Sequence, residues 1–253
     1  MPKKRIEQVL DIIKEQRYVT VKYLCENLHY STATINRDLN DLQRQKLIVR
    51  HYGGAEFIEK KGVPLVFRYH KMRPVKRAIS TRAATYIQEG MTVFIDGSTT
   101  AQYMAEHIQS IKDLTVITSN LNLVTHLSEA GVRCICLGGP IIESPYIVGG
   151  YDAAEQIGTY TVDIAFFSVG AISAEGLIFD TPGYYELHRA MLVNAKRNIL
   201  LVDHEKVGLS RNRVLCDFSK VHTVISDYQF SDIVQQTFAD TEFVLIESSK
   251  TKQ

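Results

Sequence analysis

No uninterrupted apolar run in this 253-residue chain approaches the length of a membrane-spanning helix, which excludes a helical membrane protein. Cysteine is scarce. Four scattered residues are too few for a disulfide scaffold in a chain of this size. A secretory signal is not expected either, because the apolar residues after Lys3-Lys4-Arg5 are interrupted by Glu7, Asp11 and Lys14. A cytoplasmic location is the expectation. Metal chemistry has little support, since the eight histidines are dispersed without paired spacing on one helix. Cys134 and Cys136 alternate with Ile135 and Leu137, so both sulfurs fall on one face of a strand with no further ligand adjacent. They read as buried structural thiols, and no cofactor is expected.

Net charge is also nearly absent, at +1, but the total conceals an asymmetry. Residues 1–82 hold 18 Lys or Arg against 8 Asp or Glu, a net of +10, while residues 83–253 hold 11 against 20, a net of −9. A basic amino-terminal third is the footprint of a module that contacts phosphates, although a solvated basic face gives the same count.

What is present in that third is a helix pair. Val21, Leu24, Cys25 and Leu28 recur at the spacing of one helix face. Ser31-Thr32-Ala33-Thr34 then opens a second helix with hydroxyls suited to capping and to bonding phosphates, backed by Ile35, Leu39, Leu42 and Leu47. Its other face carries Thr32, Thr34, Asn36 and Arg37, side chains able to reach base edges or phosphates from the major groove. Leu47 to His51 reads as a strand, and Tyr52-Gly53-Gly54-Ala55 as a glycine turn before Phe57-Ile58, which makes a wing. Ser31, Arg37, Arg50 and His51 are the expected phosphate and groove contacts; Thr32, Thr34 and Asn36 are the candidates for sequence readout.

The run Ser31 to Leu39, followed by Arg50-His51-Tyr52-Gly53-Gly54-Ala55, resembles the signature of the DeoR family of bacterial sugar-responsive transcriptional regulators, and the resemblance extends over the rest of the chain. The family usually has two consecutive arginines before the Asp-Leu pair, and here the first is Asn36. Since arginine favours guanine and asparagine adenine, a different operator sequence is implied. Tyr30 stands where the family usually has a small apolar residue in the turn.

Two domains are expected: a winged helix-turn-helix over 1–58, a linker over 59–74 marked by Lys60-Lys61-Gly62-Val63-Pro64 with Phe67, Tyr69 and Met72, and an effector domain over 75–253. From Arg73-Pro74 onward, Val75, Ile79, Ala83, Tyr86 and Ile87 fit a helix. Ser248 to Gln253 reads as a disordered tail. Strands are expected near 92–95, 114–118, 133–137, 164–169, 199–202, 223–225 and 243–246, alternating with helices, which argues for an α/β fold with a largely parallel sheet. The first six end in Asp96-Gly97-Ser98-Thr99-Thr100, Ser119-Asn120, Gly138-Gly139, Gly170-Ala171, Asp203-His204-Glu205-Lys206 and Ser226-Asp227. Ligands bind beyond the carboxyl ends of parallel strands, so these segments can converge on one crevice.

Asp96 to Thr100 is the sharpest of them. It joins a strand to a helix beginning near Ala101 and offers glycine and hydroxyl donors to an anion at a helix amino terminus, while an ordinary capped turn explains the same residues. Lys206 can add positive charge, and Asp96, Asp203 and Glu186 can accept hydrogen bonds from sugar hydroxyls. The resemblance implies that Asp96 to Thr100, Ser119-Asn120, Gly138-Gly139 and Asp203 to Lys206, with Glu186, bind a phosphorylated sugar or related metabolite, and that the domain is similar in fold to ribose-phosphate isomerase; Gly170 is a further candidate by its place at a strand end.

The expected function is a repressor of sugar-metabolism genes, binding a double-stranded DNA operator as a homodimer or homotetramer and released by the sugar phosphate. The alternative is an active sugar-phosphate isomerase with Asp96 or Glu186 as general base. Against it, Phe167 to Ser173 lacks the acidic pair that isomerases of this fold carry after their Gly-Ala.

Overall fold

The computed structural model describes residues 5–16, 18–45, 47–57, 68–69, 71–143, 146–181 and 183–247. The expected linker signal at Lys60 to Pro64 and the tail after Glu247 lie outside them. The chain divides into two compact units, residues 1–64 and 65–253.

The first unit runs α1 (Arg5–Gln16), β1 (Tyr18–Thr20), α2 (Val21–Leu28), α3 (Thr32–Arg44), β2 (Ile48–His51) and β3 (Gly54–Phe57). Hydroxyl caps set both helix starts: Thr20 Oγ1 accepts from Tyr23 N at 3.1 Å and Ser31 Oγ from Thr34 N at 3.3 Å. Between α2 and α3 the chain turns through His29 in the left-handed region, φ +55°. Val9, Leu10 and Ile13 of α1 bury with Leu24, Ile35, Leu39, Leu42, Leu47 and Ile48, each fully buried aliphatic contributing roughly 1.5–3 kcal/mol. The wing strands pair antiparallel from Ile48↔Phe57 to His51↔Gly54, with Gly53 at φ +77° in the tip. A third strand, β1, pairs with β3 to give the order β1-β3-β2. Three residues are too few to show a strand period, so β1 is not legible in the sequence.

The second unit opens with α4 (Arg73–Ala84), followed by β4 (Thr92–Ile95), a 3₁₀ turn (Ala101–Met104), α5 (Ala105–Ile108), β5 (Thr115–Thr118), α6 (Leu121–Glu129) and β6 (Arg133–Cys136). Next come the hairpin β7 (Ile141–Glu143) and β8 (Ile147–Val148), then α7 (Gly150–Gly158), β9 (Val162–Phe167), β10 (Ala171–Ile172), β11 (Leu177–Phe179) and α8 (Tyr185–Asn194). The chain closes through β12 (Ala195–Val202), β13 (Val214–Asp217), β14 (Thr223–Ser226), α9 (Asp232–Thr237) and β15 (Glu242–Leu245).

Seven of these strands form one parallel sheet in the order β15-β14-β12-β9-β4-β5-β6, and they are the seven expected from the sequence. Side chains alternate across it. Val93 and Ile95 pack with Ile79, Met104 and Leu123 on one face, while Phe94 packs with Ile157, Leu187 and Met191 on the other. The order runs outward from the centre in both directions, and it reverses between β4 and β9. That is the topological switch point, beyond whose strand ends ligands bind in open parallel sheets.

Three expectations need correcting. The segment after Thr100 is a 3₁₀ turn, tightened by Tyr103 N to Thr100 O at 3.3 Å, and the α-helix that follows spans only Ala105–Ile108, so loop 96–100 has no long helix dipole behind it. Cys136 is exposed and Cys134 half-buried, because β6 is an edge strand with no neighbour on one side. In α4 the buried face is Lys76, Ile79, Ser80 and Ala83, with Val75 only partly covered, and the helix ends before Tyr86 and Ile87. Among the described residues, no helix is long and apolar enough to cross a membrane and no cluster of His, Cys, Asp or Glu is placed to hold a metal.

Candidate functional site

In the first unit, α3 presents Ser31, Thr32 and Arg37 to solvent, with Thr34 and Asn36 half-buried beside them. Behind this face Asp38, 4 % exposed, receives Arg5 through two bonds, Nε to Oδ2 at 2.5 Å and Nη2 to Oδ1 at 2.9 Å. That charge-assisted pair fixes α1 against α3. Arg37 is exposed and, among the described residues, makes no ion pair, so it is available to a phosphate.

Arg50 and Asn36, given separate roles on sequence grounds, are bonded to each other. Arg50 Nη2 donates to Asn36 Oδ1 at 2.7 Å, and its Nη1 donates to Asn40 Oδ1 at 2.9 Å. The guanidinium therefore ties the wing strand to α3 and engages the Asn36 side-chain carbonyl. His51 lies 2.8 Å from Glu56 across the wing, Nε2 to Oε2. Tyr52, fully exposed at the wing tip, is available to a partner and was not singled out from the sequence.

In the second unit the β4 and β9 ends are joined through Asp96. Its Oδ1 accepts from Ser98 N at 3.0 Å and its Oδ2 from Ser168 N at 2.9 Å, bridging the two loops at the switch point. His188 of α8 lies behind it, with Nε2 3.2 Å from Asp96 Oδ2 and Nδ1 2.7 Å from Asp180 Oδ2. All three side chains are buried. Burial opposes charge on His188, but Asp180 and Asp96 outweigh it and push the pKa up to about 10.

Two lysines face the loop. Lys206 Nζ donates to Ser168 Oγ at 2.8 Å and sits 3.4 Å from Asp203 Oδ2. Lys76, only 4 % exposed, donates to Thr99 Oγ1 at 2.9 Å and to the Arg68 carbonyl. Burial, with Lys206 nearby, lowers the Lys76 pKa to about 8. Among the described residues Thr100 Oγ1, Ser119 Oγ and Asn120 Nδ2 are buried polar atoms without a protein partner. Such atoms are costly unless a ligand or water reaches them; Ser119 and Asn120 directly follow β5, and Thr100 closes the loop after the neighbouring strand β4.

The remaining expected residues separate into those tied to this cluster and those bonded elsewhere. Gly97 belongs to it: a Cβ there would stand 2.6 Å from Ile147 Cγ2, and Ile147 bridges to Asn120. Asn120 caps α6, its Oδ1 accepting from Asn122 N at 3.0 Å. Gly138 N instead donates to Gln156 Oε1 at 2.9 Å, and Gly139, at φ +131°, lies where a Cβ would be 2.6 Å from Gly149 O. Gly138 thus packs on α7, and Gly139 allows the close approach of the backbone just after β8. Gly170 abuts Thr181 and Arg211, and Glu186 pairs with Arg213 at 3.0 Å.

With this geometry established, comparison with known proteins is decisive. Residues 5–61 match the DeoR-like helix-turn-helix domain and residues 72–228 the DeoR C terminal sensor domain. The chain belongs to the DeoR family of transcriptional regulators. It is 31% identical over 226 residues to the HTH-type transcriptional repressor GlcR of Bacillus subtilis (strain 168), covering 88% of this chain and 87% of the relative. It is 29% identical over 236 residues to the glycerol-3-phosphate regulon repressor of Escherichia coli (strain K12), covering 92% and 93%. Among solved structures it is similar to ribose 5-phosphate isomerase from Plasmodium falciparum, with a TM-score of 0.41, 16% identity, and 54% and 53% of the two chains covered. That likeness is too distant to bear on chemistry.

The enzymatic alternative fails for this DeoR-family chain on its own geometry as well. An enediol mechanism needs a free base, but the Asp96 carboxylate is 0 % exposed and engaged at both oxygens, and Glu186 is held by Arg213. In this state Asp96 organises the loop rather than facing a ligand.

Sequence reasoning missed Lys76, Ser168, Asp180 and His188. Lys76 was findable: it sits three residues before Ile79 and seven before Ala83, a lysine on the apolar stripe of its helix. His188 had no comparable signal, because its partners are 8 and 92 positions away in the chain.

Proposed function

We propose that this DeoR-family regulator is a repressor whose grip on a double-stranded DNA operator is released by a phosphorylated sugar bound at the β4–β9 switch point. The carrying observation is a pair of lysines, Lys76 and Lys206, flanking hydroxyls of the Ser98–Thr100 loop and Ser168, with Lys76 buried, bonded only to neutral oxygens among the described residues, and influenced by the Asp203 carboxylate without pairing with it. A phosphoryl group supplies the missing negative charge and accepts from several donors at once. The sugar hydroxyls then fall to the strand-end groups, Ser119, Asn120 and Asp203 among them. The name of the glycerol-3-phosphate regulon repressor, a relative at 29% identity, is consistent with a phosphorylated effector class.

On the DNA side, α3 enters the major groove with Arg37 on a phosphate and Thr32, Thr34 and the Asn36–Arg50 unit toward base edges. Operators read by such helices are two-fold, so the working species is a homodimer or homotetramer.

The test is thermal stability across phosphorylated sugars beside their unphosphorylated forms. A ligand at 100 times its Kd adds about 2.7 kcal/mol, which raises the Tm of a domain this size by roughly 5–10 °C. A shift confined to one or two phosphorylated compounds supports the proposal; equal shifts with both forms, or none, refute a phosphate-reading crevice.

A further inference from the structure

The chain that enters the sensor unit is bonded to the loop after β4 and to its neighbours. Lys76 Nζ holds two acceptors: Thr99 Oγ1 in the loop, at 2.9 Å, and the main-chain carbonyl of Arg68, just before the helix. A second clasp lies beside it. Tyr103, in the 3₁₀ turn after the loop, donates its hydroxyl to the Tyr69 carbonyl at 2.9 Å and stacks on the Tyr69 ring, 4.9 Å between centroids. Arg68 pairs with Glu143, which accepts from Tyr184, and Lys71 pairs with Glu205, next to Lys206. Arg68, Tyr69 and Lys71 are thus fastened to the loop after β4, the β7–β8 hairpin and the segment after β12.

Two features mark this fastening as poised to change. Met72, which joins the strap to α4, has φ +56° and no side-chain cap, a left-handed conformation that a side chain of this kind adopts only when its surroundings impose it. Lys76 is a buried ammonium whose hydrogen-bond acceptors, among the described residues, are both neutral; the carboxylate that acts on it, Asp203, is paired with Lys206 instead. A buried cation gains far more from an anion than from a carbonyl.

We propose that Lys76 is a binding residue for the effector's anionic group, and that it reaches that group by giving up the Arg68 carbonyl, which loosens residues 68–72 when the crevice fills. This rests on the effector reading of the crevice. Thr99 stays within reach of the same ammonium, so the lysine pivots rather than withdraws. Relaxation of Met72 favours the released state, and the Tyr103–Tyr69 clasp opposes it; the two set how much ligand is required. The ligand class is a phosphoryl or comparable oxyanion, since a neutral sugar offers Lys76 nothing better than the carbonyl it already holds.

Hydrogen–deuterium exchange on the full chain, with and without excess inorganic phosphate, tests this. The expected result is slower exchange at residues 97–101 together with faster exchange at 68–76. Lys76→Met should show fast exchange at 68–76 before phosphate is added and no further change with it. Tyr103→Phe, which keeps Lys76 and the fold, should reach the fast state at several-fold lower phosphate, and it carries the test if Lys76→Met does not fold. Protection of 97–101 with 68–76 unchanged in the unmodified protein would overturn the coupling and leave the crevice reading intact. No protection at either segment would overturn both.

Discussion

Asp96 and His188 face each other across 3.2 Å, Oδ2 to Nε2, and neither side chain is exposed. The contact is ionic rather than a well-aligned hydrogen bond, since Nε2 meets no hydrogen-bond geometry, while Nδ1 is bonded to Asp180. One imidazolium thereby sits between two buried carboxylates and offsets one of their two charges, and one of the pair, Asp96, holds the β4 and β9 loops together. The crevice stands on this internal charge balance.

A pH dependence follows, with a definite sign. The His188 pKa rises from 6.5 to about 10 on folding, so the native state binds the extra proton and the stabilisation is complete below pH 6.5 and lost as pH rises toward 10. Lys76 acts oppositely. Its pKa falls from 10.5 to about 8, so stability is regained between pH 8 and 10.5. The two are separated by comparing His188→Gln with the unmodified protein in denaturant titrations. At pH 6 the variant should lose about 3–5 kcal/mol, because a buried charge network has lost one partner, and the difference should shrink steadily toward pH 10. A difference independent of pH would mean that His188 is neutral in the fold.

Gly97→Ala tests the packing of the loop. The added methyl would meet Ile147, itself fully buried, at 2.6 Å, so the hairpin or the loop must move. A loss of roughly 1–3 kcal/mol in chemical denaturation is expected, with loss of any thermal shift by phosphorylated sugars. Unchanged stability would show that the Gly97–Ile147 approach is looser than described.

For DNA, Arg37→Ala should weaken binding at all sequences and lower the slope of log affinity against log salt by about 1, as removal of one phosphate contact does. Arg50→Ala should act differently. It frees the Asn36 carbonyl, so binding weakens by about 1–3 kcal/mol and base preference at the position facing Asn36 changes. Asn36→Arg should also change that preference. Selection from a randomised duplex library measures all three, and an identical preferred sequence in the Arg50 and Asn36 variants would displace α3 from the reading position.

Much of the architecture was legible because it is written in short-range periodicity. The seven sheet strands are apolar runs bounded by polar residues, and α2, α3 and the wing carry caps and glycines at the expected offsets. The strand order was not legible, since parallel pairing joins segments such as β4 and β9 that are far apart in sequence. The same distinction governs the site. Asp96, Ser98 and Lys206 could be singled out as candidates because polar residues at strand ends are conspicuous. Asp180 and His188 were not, because a buried ion pair leaves no local pattern. Arg50 and Asn36 were both chosen but their bond was not, and it alters the role of each.

The most direct test of the central claim is operator binding by the full chain and by the Ser98→Ala/Lys206→Ala double variant, followed by fluorescence anisotropy with increasing phosphorylated sugar. The account predicts that the unmodified protein is released from DNA by the phosphorylated form and not by the unphosphorylated one, while the double variant binds the operator and no longer responds. A double variant released at the same ligand concentration as the unmodified protein would contradict it.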